Sequence, residues 1–115
     1  MERKLIKLTV MYNLPPGADH EAFMRWRTTD HQAANMAMPG LIKSDFYVVK
    51  EGWPDPAAPY RYLTEAYFPD METFRRAFFE SGFQARLEES LQRIADPVFL
   101  ISEEVVSETV ADQAG

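Results

Sequence analysis

The sequence predicts an α+β plait with strands and helices in the order β-α-β-β-α-β. Three observations carry this: alternating apolar runs near both ends and in the middle, helical-period runs between them, and Pro/Gly breakers at the joints. The first strand is Leu5 to Tyr12, with Ile6, Leu8, Val10 and Tyr12 on one side and Leu5, Lys7, Thr9 and Met11 on the other. Leu14-Pro15-Pro16-Gly17 ends it. Asp19 suits a helix N-cap, and Glu21 suits the positive end of the helix that follows. This first helix is predicted as one piece from about His20 to Met36. Phe23, Trp26, Asp30 and Ala34 form one stripe, with Arg27 and His31 beside it. Met38-Pro39-Gly40 stops it. Ile42 to Glu51 alternates as the second strand, and Tyr60 to Phe68 as the third. The three prolines between Glu51 and Pro59 cannot join a central ladder, so this segment is expected to be a mobile hairpin loop. Asp70 caps a second helix carrying Phe74, Ala77 and Phe78, with Gly82 as its C-cap. Phe83, Leu87, Leu91 and Ile94 mark a further helical piece, which Asp96-Pro97 stops. Val98 to Val106 is the last strand. The expected domain is residues 1–107, with residues 108–115 a loose tail.

Two interleaved right-handed βαβ crossovers give a four-stranded antiparallel sheet with its helices on one face, the ferredoxin-like plait. The other face should then be polar. It is not: Leu5, Met11, Tyr47, Val49, Leu63, Tyr67, Phe99, Ile101 and Val105 are assigned to it. A second copy of the chain is the expected cover, giving a homodimer. Lys7 and Glu65 stand as opposite charges on neighbouring central strands of that face, and an ion pair at the dimer interface is their expected role.

A chain of 115 residues holds one core. Lys and Arg number 12 against 18 Asp and Glu, a net charge of −6, which repels phosphate and argues against nucleic acid as a partner. Apolar residues make up 46%, too many for a disordered chain. Without cysteine there is no disulfide, thiolate nucleophile or Cys-ligated metal, which suits a reducing cytoplasm. No leader or membrane-spanning run is recognisable, so the expectation is a cytoplasmic protein with no membrane partner. Phosphate loops, nucleophile elbows and metal-ligand spacings are also missing, so no cofactor and no metal are expected.

His31 has two readings. Near its ordinary pKa it can move protons at neutral pH; alternatively it is a core or capping histidine bonded to a carbonyl. His20, at the start of the first helix, reads as a surface residue. Tyr12 ends its strand on the apolar side, where a buried phenol needs a partner. Arg27 either neutralises a carboxylate or enolate or pairs with an acidic neighbour. Asp30 either holds a substrate hydroxyl or is solvated. Trp26, Phe46 and Phe78 either line a slot for a flat molecule or are plain core.

Three segments resemble a known family: Val10-Met11-Tyr12 through Asp19-His20-Glu21-Ala22-Phe23-Met24-Arg25-Trp26; His31 followed by Met38-Pro39-Gly40-Leu41; and Tyr67-Phe68-Pro69-Asp70-Met71-Glu72-Thr73-Phe74 leading to Phe79-Glu80-Ser81-Gly82. The pattern is similar to the EthD-like proteins of the dimeric α+β barrel superfamily, including those of polyketide and prodigiosin-type pigment pathways. The resemblance covers about residues 4–107. It implies a homodimer whose sheets face each other as a barrel, with a pocket in each subunit between sheet and helices. It also implies a small aromatic or polyketide-like ligand and either cofactor-free cyclase, isomerase or monooxygenase chemistry or simple binding. His31 matches the family's histidine position; with Tyr12 it is the catalytic candidate, and Trp26, Arg27, Asp30, Phe46 and Phe78 are the substrate-binding candidates.

Overall fold

The computed structural model describes residues 4–111. The start of the expected N-terminal reading and the last four residues of the expected tail lie outside them. The elements are β1 (Ile6–Asn13), α1 (His20–Thr28), α2 (Asp30–Met36), β2 (Lys43–Val48), β3 (Tyr62–Phe68), α3 (Met71–Phe78), α4 (Ser81–Leu91) and β4 (Ala95–Glu103). The strands form one sheet in the order β2-β3-β1-β4, and every pair is antiparallel. This is the ferredoxin-like plait.

Directly opposed residues share a face, so the register sorts the side chains. Ile6, Leu8, Val10 and Tyr12 of β1 stand opposite Phe68, Ala66, Thr64 and Tyr62 of β3, and all eight are buried. Phe23 of α1, Met38 after α2, and Phe74 and Ala77 of α3 complete the core above them. The other face carries Lys7, Thr9 and Met11 beside Tyr67, Glu65 and Leu63. Lys7 Nζ meets Glu65 there at 2.8 Å, and this hydrogen bond chiefly raises the Lys7 pKa.

The helix expected from His20 to Met36 is broken at Thr29, whose φ of −118° and ψ of −89° leave the helical region. Thr28 Oγ1 donates to the Met24 carbonyl at 2.7 Å, and Thr29 Oγ1 to that of Arg25. Such back-bonding bends or ends helices. Gly82 is not a C-cap. It lies in the first turn of α4, where the Glu80 carboxylate accepts from the backbone N–H of Gly82 and Phe83 at 2.7 and 2.8 Å. β2 and β3 are shorter than expected, ending and starting nearer the sheet centre. β4 starts at Ala95 and ends at Glu103, three residues earlier at each end than expected. It includes Asp96, at φ +54°, and Pro97, with a register shift opposite Met11–Asn13. Pro97 is tolerated because β4 is an edge strand. Phe99 and Ile101 pair with Val10 and Leu8, so they face the helices and not the bare face. The run Val98-Phe99-Leu100-Ile101 is apolar on both sides, so alternation could not orient it. Val98 and Leu100 join the bare face instead. The segment between β2 and β3 has no strand and leaves Trp53 almost fully exposed.

Candidate functional site

A cavity of about 270 Å³ lies between the helix-facing side of the sheet and α1, α2, α3 and α4. Leu8, Val10 and Ala66 form its apolar floor, and Phe23, Trp26 and Phe78 are among its walls. Tyr12, Thr64, Arg27 and His31 supply polar groups. Such an apolar enclosure with a few convergent polar groups is the usual form of a small-molecule site.

The break at Thr29 shapes this site. On a continuous helix, residues five apart point about 140° away from each other. Here the His31 ring lies on Trp26, five residues earlier, with centroids 4.4 Å apart. Arg27 Nη1 donates to Gln32 Oε1, also five residues on, at 2.8 Å. Both contacts need the chain to turn at Thr29.

Arg27 is only 1% exposed. Its Nη2 donates to Thr64 Oγ1 at 3.2 Å, and its guanidinium lies 4.5 Å from the centre of the Phe46 ring. No carboxylate pairs with it among the described residues, which overturns the alternative of an acidic neighbour, and its Nε has no hydrogen-bond partner. Burial pulls its pKa below the usual value, countered by the neighbouring Tyr12 phenol. An arginine nonetheless stays charged. Tyr12 Oη and Thr64 Oγ1 are 3.2 Å apart.

His31 is partly buried, and its pKa is down to about 4. Burial is the main cause, and the charges of Arg27 and Arg93 add to it. The ring is therefore neutral at pH 7. Arg93 lies 4.5 Å over the Trp26 ring.

The cavity brings together six of the seven candidate residues: His31, Tyr12, Trp26, Arg27, Asp30 and Phe78. Asp30 is exposed among them. Phe46 does not line this cavity. It packs beneath Arg27 and lines a separate, more open cleft with Gln32 and Ser44. His20 is not a plain surface residue: it is half-buried, and its Nδ1 shares a hydrogen bond with the Tyr62 hydroxyl. Sequence reasoning missed Thr64. Its signal is there, the one small aliphatic hydroxyl in the row Tyr62, Thr64, Ala66, Phe68, which is otherwise aromatic or apolar. Arg86 of α4 and Arg93 just beyond its end were missed too, because the helical pattern there does not show which polar residues reach the cavity. Among the described residues no group of three or more His, Asp or Glu could hold a metal ion. No helix among them is long and apolar enough to cross a membrane.

Residues 6–105 match the family model of HapK, a REDY-like protein. The chain belongs to the HapK family. HapK from Hahella chejuensis is 22% identical to this HapK-family chain, with a TM-score of 0.66 over 92% of this chain and 99% of that one. An EthD family protein from Bacillus halodurans is 21% identical, with a TM-score of 0.70 over 88% and 99%. SnoaB, a cofactor-independent oxygenase from Streptomyces nogalater, is 13% identical, with a TM-score of 0.62 over 96% and 100%. At these identities the likeness is one of fold. No curated protein matches the chain.

Proposed function

We propose that this HapK-family chain is a homodimeric small-molecule protein, and that its cavity works as a cofactor-free enzyme site for an aromatic or polyketide-like metabolite. The observation that carries this reading is the meeting of a neutral imidazole, a phenol and a buried guanidinium in one aromatic-walled cavity. SnoaB, which shares this fold, is a cofactor-independent oxygenase, and that supports the reading. Cyclisation, isomerisation and oxygenation of activated carbonyl compounds share a first step. A C–H proton leaves, and its electron pair moves onto the carbonyl oxygen as an enolate. The neutral His31 ring takes the proton, and Tyr12 is the hydroxyl available to the enolate oxygen. With its pKa near 4, His31 is a weak base. The negative charge that develops beside it raises its proton affinity during the step.

Screening aromatic acids and polyketide mimics by thermal shift, then assaying turnover of those that bind, tests the reading. His31→Ala should cut turnover by ~10²–10⁴, the range for losing a general acid–base. Unchanged turnover would remove His31 from the chemistry.

The low basicity of His31 favours a second reading, a binding or accessory protein that uses the same cavity without turnover. In that case ligands bind, no product forms, and His31→Ala changes affinity alone.

A further inference from the structure

The cavity's charge has the opposite sign to the chain's. The protein carries a net charge of −6, yet three arginines line the cavity against two carboxylates, Asp30 and Glu89. Both carboxylates are exposed, as are Arg86 and Arg93; only Arg27 is buried. The inner end of the cavity therefore holds one positive charge with no counter-charge among the described residues. A buried cation is costly unless something pairs with it.

Arg27 itself is almost sealed, so a ligand meets its charge through the groups it touches. Arginine only donates, and so Thr64 Oγ1 accepts from Nη2. A hydroxyl beside a cation is most stable with its oxygen toward the charge and its hydrogen away. That orientation points the Thr64 hydrogen to Tyr12 Oη, 3.2 Å away, and leaves the Tyr12 hydrogen free to donate in turn. Both residues line the cavity.

We propose that Arg27, Thr64 and Tyr12 form a one-way donor chain ending at the Tyr12 phenol, and that the ligand presents an organic oxyanion, a carboxylate or an enolate, to that phenol. The inference rests on the small-molecule reading above and adds the ligand's charge and its docking atom. Tyr12 is the group in contact; Thr64 and Arg27 are positioning residues that polarise it. The apolar floor and walls take the ligand's ring. The single buried charge matches a monoanion.

The test is calorimetric titration of the full chain at pH 7.5 with 2-naphthoate and with 2-naphthamide, its neutral counterpart. The naphthoate should bind at least about tenfold more tightly, as expected for a hydrogen bond to a charged group. Arg27→Met and Thr64→Val should each bring the ratio close to one while leaving the naphthamide affinity within about twofold. A merely structural role would weaken both ligands together. Tyr12→Phe should abolish the preference as well. Dimedone, an enolate at this pH, distinguishes the two oxyanions: tighter binding than naphthoate names the enolate, weaker binding the carboxylate. Equal affinity for naphthoate and naphthamide in the unaltered protein would overturn the donor chain and leave the pocket reading standing. No binding of either compound at millimolar concentration would overturn both.

Discussion

Arg27 holds a charge where the fold gains little from having one. It makes two hydrogen bonds to neutral partners and a ring contact, but among the described residues no carboxylate offsets its desolvation. Arg27→Met keeps the length and apolar contacts of the side chain and removes the charge. We expect it to leave stability unchanged or raise it by about 1 kcal/mol. Denaturant melts showing a loss beyond ~2 kcal/mol would mean that the guanidinium is structural. His31 gives a pH signature. It titrates near 6.5 when unfolded and near 4 in the fold, so between those values the unfolded chain binds more protons. Its contribution to stability is complete above pH 6.5 and falls away as the pH drops toward 4, by roughly 3 kcal/mol at most. His31→Gln should remove that part of the slope; parallel pH–stability curves for the two proteins would contradict it. Tyr12, His31 and Arg27 were legible as candidates because each is a chemically distinctive residue on or beside an apolar stripe. That Arg27 has no acidic partner among the described residues was not legible, since pairing across elements is a property of the fold.

At the scale of elements, the turn at Thr29 decides the shape of the site. Local chemistry made it readable in principle: two threonines in succession, each able to bond back to the preceding turn. Hydrophobic periodicity alone ran through it, because the apolar stripe continues on both sides. Replacing both Thr28 and Thr29 by alanine removes the back-bonds and raises helix propensity. The helix should straighten and carry His31 off Trp26, and the His31 pKa, followed by proton NMR, should rise from about 4 toward 6.5. A pKa that stays near 4 would show that packing, not the threonines, makes the turn. Gly40 is a second local device. Its φ is +78°, and a methyl group there would run into the Thr73 side chain. Gly40→Ala should cost about 2 kcal/mol or more, from the backbone conformation and the clash together, as read from a chemical denaturation midpoint.

For the whole molecule, the order of elements and the single-sided helix layer followed from alternation, period and breakers. The facing of β4 did not, because an apolar run of four residues carries no phase. The proposed dimer rests on the remaining bare face, where half-buried Met11 and Leu63 and exposed Tyr47 and Leu100 surround the Lys7–Glu65 pair. Sedimentation at micromolar concentration should give twice the chain mass. Changing Met11 and Leu100 to glutamate should yield a folded monomer, since neither side chain belongs to the core. A monomer from the unaltered protein would remove the barrel reading.

The outer strands set a limit on how copies can meet. A strand border with free N–H and C=O groups invites another strand to extend the sheet. β4 interrupts that border with Pro97, which has no N–H to offer, and with the left-handed turn of Asp96. On the opposite border β2 is six residues long, and the Gln32 side chain donates to its Ser44 carbonyl at 3.3 Å. Growth by adding strands is obstructed on both sides. Face-to-face contact is self-limiting: it consumes one surface on each copy and leaves nothing for a third.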